Sequence, residues 1–187
     1  MTRLSEEQER FLGRHDWGRW VGDRVGVWVS VDEQVMRIVH GKDIVWQTRC
    51  STAKKGTGSR MNSFKTPLGW HSVVAKTGAD APKGQVFRGG KPTSKIWKPG
   101  NTTRADLVLT RILFLTGEEP GKNKGGKVDS FARHIYIHGT NDEARIGRPV
   151  SQGCVRLTND DVIRAYELIA EGTRVLITEE EARSEPD

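Results

Sequence analysis

The residues best suited to chemistry lie between His138 and Cys154. His138 is followed by Gly139, by eleven further residues and then by the tetrapeptide SQGC, which ends at Cys154. A cysteine becomes a strong nucleophile as the thiolate, and a nearby imidazole is the usual means of forming that thiolate near neutral pH. Glycine and serine beside the thiol favour a tight turn that exposes its side chain. The pattern therefore predicts a cleft in which Cys154 is the nucleophile and His138 is the base.

The ordered elements HGT, GRPVS and GCVRL resemble the signature of the L,D-transpeptidase catalytic domain family, whose members are peptidoglycan-modifying cysteine transpeptidases. That signature has His-Gly, a gap of this size, Ser-His-Gly-Cys, a hydrophobic residue and then Arg or Asn. Gln152 stands where the family usually has a second histidine. Weaker similarities at residues 51–52, 66–70 and 109–113 extend the resemblance over nearly the whole chain. The matching signature positions are His138, Gly139, Ser151, Gly153, Cys154, Val155 and Arg156.

The resemblance implies acyl transfer through a thioester on Cys154, with the backbone carbonyl of Gly139 orienting the imidazole of His138. Backbone N–H groups around Gly153 and Cys154 are expected to hold the oxyanion, and one such donor is worth about 3 kcal/mol in known cases. Three further residues are expected to support the turn or the substrate. Ser151 braces the turn, Arg156 holds a substrate carboxylate or forms a surface ion pair, and Gln152 shapes the pocket.

The implied acyl donor is a peptidoglycan stem tetrapeptide, attacked at the diamino acid in its third position with release of the terminal D-alanine. The acceptor is an amine of another stem or of an attached protein. Water as the acceptor would make the enzyme an L,D-carboxypeptidase. Peptidoglycan stem peptides are thus the expected partners, no cofactor and no metal are expected, and the family resemblance implies the periplasm or cell envelope as the location.

Two other classes of function remain open. His134 and His138 have the H-x3-H spacing of a metal site, for which Cys154 could supply a third ligand. Residues 135–137, however, favour a strand over a helix, and no fourth ligand is evident. Gln152 in place of histidine is also compatible with a non-catalytic cell-wall-binding module that keeps the fold without turnover.

Composition narrows the class of protein. A length of 187 residues suits one domain, and a formal charge of +6 suits an anionic partner, although no nucleic-acid-binding motif is present. With two cysteines a disulfide framework is not indicated, and Cys50 is expected to be a core thiol. No apolar run approaches the roughly 20 residues that span a bilayer. The first 20 residues lack the apolar core of a signal peptide, which leaves a cytoplasmic location or a missing export signal open.

The pattern predicts a mainly β, β-sandwich-like fold with one or two short helices. Residues 25–50 alternate as a β-meander, whereas residues 76–104 are weakly periodic and are predicted to form a long lid loop. A helix is expected to start at Thr158, and His71 is expected to face solvent. The predicted divisions are an N-terminal charged extension over residues 1–24, a catalytic domain over 25–178 and an acidic tail over 179–187.

Overall fold

A computed structural model describes residues 1–103 and 105–180 of the chain. Strands account for 39% of the residues and helices for 16%, which confirms the prediction of a mainly β fold with few short helices. The helices are α1 (Glu6–Arg14), α2 (Trp17–Trp20) and α3 (Asn159–Leu168), and short 3-10 turns lie at Gly126–Val128 and Glu143–Arg145. The strands are β1 (Thr2–Arg3), β2 (Val25–Ser30), β3 (Val35–His40), β4 (Asp43–Arg49), β5 (Gly69–Thr77), β6 (Gln85–Arg88), β7 (Lys91–Ile96), β8 (Val108–Gly117), β9 (Tyr136–Gly139), β10 (Val155–Leu157) and β11 (Arg174–Thr178).

The strands form one hydrogen-bonded mixed sheet in the order β1-β4-β3-β2-β11-β5-β8-β6-β7, and β9 joins it through β8. The long strand β8 lies at the centre of the part of the sheet that contains residues 136–139 and 155–157, because it pairs with β5, β6 and β9. Strand β10 pairs with β9 in parallel. A parallel pair needs a crossover connection, and here that connection carries the segment between the predicted base and the predicted nucleophile.

Apolar side chains bury both faces of the sheet. Alternation along β2 sends Val27 and Val29 into one core and Trp28 into the other. The first core includes Val162, Ala165 and neighbouring residues of α3, which packs behind β8, β9 and β10. Thr158 caps this helix by accepting a hydrogen bond from the Asp161 amide at 3.1 Å, as its sequence position predicts.

The second core joins the N-terminal segment to the sheet. Leu12 of α1 and Trp17 of α2 are buried against Trp28 and Trp70. A capping box between Ser5 and Gln8 starts α1. The charged extension predicted for residues 1–24 therefore contributes packed apolar side chains, although its treatment as a separate division stays a prediction.

Residues 85–96, which lie in the predicted lid loop, form a β-hairpin. Strands β6 and β7 are joined by Gly89 and Gly90, whose φ angles are +57° and +76°. Two successive glycines with positive φ suit the tight two-residue turns of hairpins. The segment is thus partly ordered by pairing with β8, and its role as a lid stays a prediction. None of the described helices is long and apolar enough to cross a membrane.

The prediction that His71 faces solvent is wrong, because the ring is fully buried in β5. The loop that follows β8 folds back over this strand, with the Asn123 side chain donating to the carbonyls of Leu68 and Trp70. Nδ1 of His71 donates to the Gly69 carbonyl at 3.0 Å, and Nε2 lies 2.9 Å from the Ser130 hydroxyl. Both ring nitrogens are therefore satisfied inside the protein.

Candidate active site

Main-chain atoms hold the thiol of Cys154. The side chain is half-buried in the turn that precedes β10. The backbone N–H of Tyr136 donates to Sγ at 3.3 Å, and Sγ donates to the carbonyl of His134, also at 3.3 Å. His134 has a φ of +57°, which is uncommon for a residue other than glycine. The start of β9 thus forms a backbone seat for the sulfur.

His138 lies on β9 and is only 3% exposed. Its Nδ1 donates to the carbonyl of Gly139 at 2.6 Å, which leaves Nε2 as the nitrogen free to take a proton. Parallel pairing sets Arg156 opposite His138, and Val155 opposite Ile137. Because alternate strand residues share a face, Tyr136, His138 and Arg156 lie on the same face, with Cys154 on the diagonal from the histidine. Within the described residues no hydrogen bond joins the thiol to His138.

Burial shifts the pKa of both candidate groups in the direction that favours the neutral form. It lowers the pKa of His138 to about 4, and the neighbouring Arg156 lowers this pKa further while the bond to Gly139 raises it. Burial likewise raises the pKa of Cys154 to about 11, against the N–H of Tyr136 and the charges of Arg156 and Arg133, which lower it. Both shifts favour a thiol and a neutral imidazole in the resting site. Catalytic contacts of this kind often tighten only when substrate binds.

The SQGC turn is braced from within. The hydroxyl of Ser151 donates to the Cys154 carbonyl at 2.6 Å and accepts from the Gly153 amide at 3.2 Å. Gly153 has a φ of +129°, and a Cβ there would lie 3.2 Å from the side chain of Ile135 and 3.3 Å from the carbonyl of Lys65. In the part of the chain that the structure describes, the amide of Cys154 donates no hydrogen bond. The Cys154 amide is therefore available as a donor, whereas the Gly153 amide is bonded to Ser151.

Position 139 next to His138 is packed so closely that only glycine fits. A Cβ at this position would lie 2.5 Å from Oδ1 of Asn159 and 2.8 Å from the carbonyl of Leu109. Asn159 is itself buried, accepts from the Thr110 hydroxyl at 2.6 Å and donates to the Thr140 carbonyl at 2.8 Å. The backbone at Gly139, whose carbonyl accepts from His138, therefore packs against a buried hydrogen-bond network.

Arg156 is buried rather than displayed at the surface. It is 4% exposed and forms an ion pair with Asp106, and its Nη1 lies 3.8 Å from Oδ2 of Asp142. Nε of Arg156 has no partner among the described side chains and backbone atoms. Arg156 does form an ion pair, but its guanidinium is buried, so the alternative of a surface ion pair is wrong about where it lies. The guanidinium is already paired with the carboxylate of Asp106, which lies next to the candidate site.

Gln152 is exposed at the tip of the turn and lines three clefts. The first, of about 450 Å³, is the Asp106 cleft; the second, of about 380 Å³, is the Lys55 cleft; the third, of about 370 Å³, is the His134 cleft. Clefts of this size hold small ligands. The Lys55 cleft also includes Lys54 and Phe64, which makes it basic with an apolar wall. Gln152 thus lies within the turn that carries the thiol, and its side chain borders all three clefts.

Two residues at the site were not found by sequence reasoning. Thr66 is fully buried, and its hydroxyl accepts from the Ala53 amide and donates to the Gly153 carbonyl, both at 2.9 Å. Arg133 donates to the carbonyls of Gly58 and Lys65 and acts electrostatically on Cys154. Thr66 belongs to the TPLG element, so the resemblance offered a signal for it. Arg133 offered none.

The structure also locates Cys50 and His134, the two remaining residues considered in the sequence. Cys50 is fully buried, as expected for a core thiol. Nδ1 of His134 lies 3.0 Å from the Tyr136 hydroxyl, and the ring is exposed. Across residues 1–103 and 105–180, no three His, Cys, Asp or Glu side chains are grouped to hold a metal ion.

Comparisons with known proteins identify the family of the chain. The YkuD family, described as the L,D-transpeptidase catalytic domain, matches residues 24–177. A putative L,D-transpeptidase YqjB of Bacillus subtilis is 49% identical over 85 residues, which cover 42% of this chain and 48% of that protein. A probable L,D-transpeptidase ErfK/SrfK of Escherichia coli is 47% identical over 119 residues, covering 61% of this chain and 38% of that protein. The matched stretch thus spans less than half the length of either relative.

Solved structures support the fold. The LD transpeptidase LdtMt1 in complex with imipenem has a TM-score of 0.53 at 15% identity, covering 84% of this chain and 60% of that chain. A cysteine-to-serine mutant of the Enterococcus faecium L,D-transpeptidase has a TM-score of 0.52 at 13% identity, covering 84% and 50% respectively. Since the family match runs through almost the entire described sheet, the chain belongs to the L,D-transpeptidase catalytic domain family.

Proposed function

We propose that this protein is a peptidoglycan L,D-transpeptidase in which Cys154 transfers an acyl group from a stem tetrapeptide to an amine. The observation that carries the proposal is the seat of Cys154 on the backbone of β9, on the same face as the buried imidazole of His138. Nδ1 of His138 is committed to Gly139, so Nε2 is the base. Family membership supports this class of reaction.

The proposed reaction starts with both groups neutral. Attack of sulfur on the donor carbonyl and transfer of the thiol proton to Nε2 of His138 occur in one step, because burial disfavours either ion alone. The Cys154 amide stabilises the oxyanion. The imidazolium then protonates the leaving amine of D-alanine, and a thioester remains. The acceptor amine attacks this thioester, its proton passes to His138, and the thiol is regenerated.

The clefts suggest how the donor is held. A stem peptide carries free carboxylates, and the Lys55 cleft offers the ammonium groups of Lys54 and Lys55 beside Gln152. Gln152 can donate and accept hydrogen bonds but cannot titrate, so we propose that it binds substrate and leaves proton transfer to His138. With peptidoglycan as the substrate, the proposed place of action is the cell envelope.

The test is incubation of the purified protein with a defined disaccharide tetrapeptide, followed by mass analysis of the products. The expected products are free D-alanine and a cross-linked dimer. Cys154→Ser should abolish both while the protein stays folded, whereas Cys50→Ala should keep turnover, because this second thiol lies in the core. Tripeptide without dimer would instead identify an L,D-carboxypeptidase.

Covalent labelling gives an independent measurement. One solved relative is in complex with imipenem, and we expect imipenem to acylate this protein on the peptide that contains Cys154. No D-alanine release and no adduct with the unmodified protein would contradict the proposal and favour a non-catalytic wall-binding module.

A further inference from the structure

A buried charge lies directly beside the proposed base. Arg156 on β10 is the register partner of His138 on β9 and is 4% exposed. Its guanidinium is paired with the carboxylate of Asp106, which precedes β8 and lines the neighbouring cleft. The pair is 50 residues apart in the sequence, so only the fold brings it to the base.

The two charges act on the reacting groups in opposite senses. Arg156 lowers the pKa of His138 and of Cys154, whereas Asp106 raises both. Among the described residues, Arg133 is the other charged group that acts on the thiol, and it also lowers the pKa of Cys154. Without Asp106, the buried cation of Arg156 would repel an imidazolium at His138, and it would attract a thiolate at Cys154.

We infer that Asp106 is a positioning residue that holds Arg156 in place and neutralises its charge so that His138 can carry a proton during acyl transfer. The inference rests on the proposed function of Cys154 and His138, and it assigns a role to a residue outside the SQGC turn and the His-Gly pair. The carboxylate acts through Arg156 and need not touch the substrate.

Asp142 lines the same cleft but is committed elsewhere. Its carboxylate accepts from Nε of Arg145 at 2.9 Å and lies 2.6 Å from Nη2 of the same residue, against 3.8 Å from Arg156. Asp106 is therefore the principal counter-ion of Arg156. Asp142 provides a matched control, because it has the same side chain in the same cleft but hydrogen-bonds to a different arginine, Arg145.

The experiment compares Asp106→Asn, Asp106→Glu and Asp142→Asn in two assays. The first is the pH dependence of iodoacetamide alkylation at Cys154, and the second is D-alanine release. Asp106→Asn should speed alkylation at pH 7 by about three- to tenfold, because the uncompensated cation favours the thiolate. The same change should slow turnover by about tenfold, because the imidazolium becomes harder to form. Asp106→Glu keeps the carboxylate, so both of its rates should stay close to those of the unmodified protein. Asp142→Asn should also leave both rates close to those of the unmodified protein.

The opposite signs separate a charge effect from damage to the fold, because a distorted site would slow both reactions. Slower or unchanged alkylation in Asp106→Asn would overturn the inference. An increased affinity for donor, with kcat unchanged, would also overturn it and would show instead that Asp106 blocks a carboxylate site on Arg156. If the unmodified protein releases no D-alanine, the proposed function fails separately, and an NMR titration of His138 in the same variants then decides the inference. The imidazole pKa should fall in Asp106→Asn and should not fall in Asp142→Asn.

Discussion

Mild acid should destabilise this protein through the buried imidazole of His71. Burial lowers the pKa of this ring to about 4, whereas its ordinary value is 6.5. Between these two values the unfolded chain binds a proton that the folded protein excludes. The stabilising contribution is therefore complete above pH 6.5 and is lost as the pH falls toward 4.

The size of the effect follows from the gap between the two pKa values. One proton corresponds to about 1.4 kcal/mol of unfolding free energy per pH unit, so His71 should cost about 2 kcal/mol between pH 7 and pH 5. The buried ring of His138 has a pKa of about 4 and acts in the same window. As the pH falls, the free energy of unfolding of the unmodified protein should therefore decrease with a slope that approaches the uptake of two protons.

Urea unfolding at a series of pH values isolates the part due to His71. His71→Gln keeps a donor for the Gly69 carbonyl and an acceptor for the Ser130 hydroxyl but cannot titrate. Its slope between pH 6 and 5 should be shallower by about 1.2 kcal/mol per unit. His40→Gln is the matched control, because the His40 side chain is exposed and, among the described residues, hydrogen-bonds to the carbonyl of Asp23 alone. Equal slopes in His71→Gln and the unmodified protein would refute the reasoning.

Three further substitutions test the support of the candidate site. Gly139→Ala should destabilise the fold by about 2–4 kcal/mol in chemical denaturation and should reduce turnover, because the new Cβ would lie 2.5 Å from Oδ1 of Asn159; an unchanged unfolding midpoint would argue against this close packing. Thr66→Val should cost about 1–3 kcal/mol and slow Cys154 alkylation, because it removes both hydrogen bonds of the hydroxyl; a normal alkylation rate would show that the turn is held without it. Gln152→His should leave the pH profile of alkylation nearly unchanged, and a fall of a unit or more in the apparent thiol pKa would show that a second imidazole acts electrostatically.

The sequence was sufficient to predict the fold class and to select the candidate nucleophile and base. The spacing from His138-Gly139 to the SQGC turn is local information, and the alternation along β2 and the cap at Thr158 are local as well. The hairpin at residues 85–96 also had a local signal, the Gly89-Gly90 pair, which the surrounding lysine and proline content obscured.

Contacts between distant segments could not be predicted in the same way. Nothing in the sequence of β5 shows that residues 118–130 fold over it, and for this reason His71 was expected in solvent. The pairing of Asp106 with Arg156 depends on β8 lying beside β9 and β9 beside β10. The same arrangement places the Tyr136 amide against the sulfur of Cys154.

The backbone seat of the sulfur has a consequence for inhibitor resistance. The amide of residue 136 and the carbonyl of residue 134 are present whatever the side chains are, unless proline removes the N–H. Substitutions at these positions therefore leave both groups in place, whereas a substitution at the exposed Gln152 removes its side-chain amide. A covalent inhibitor whose affinity comes from the thiol and the amides around it offers few escape mutations. An inhibitor that depends on the amide of Gln152 would lose affinity through a single codon change.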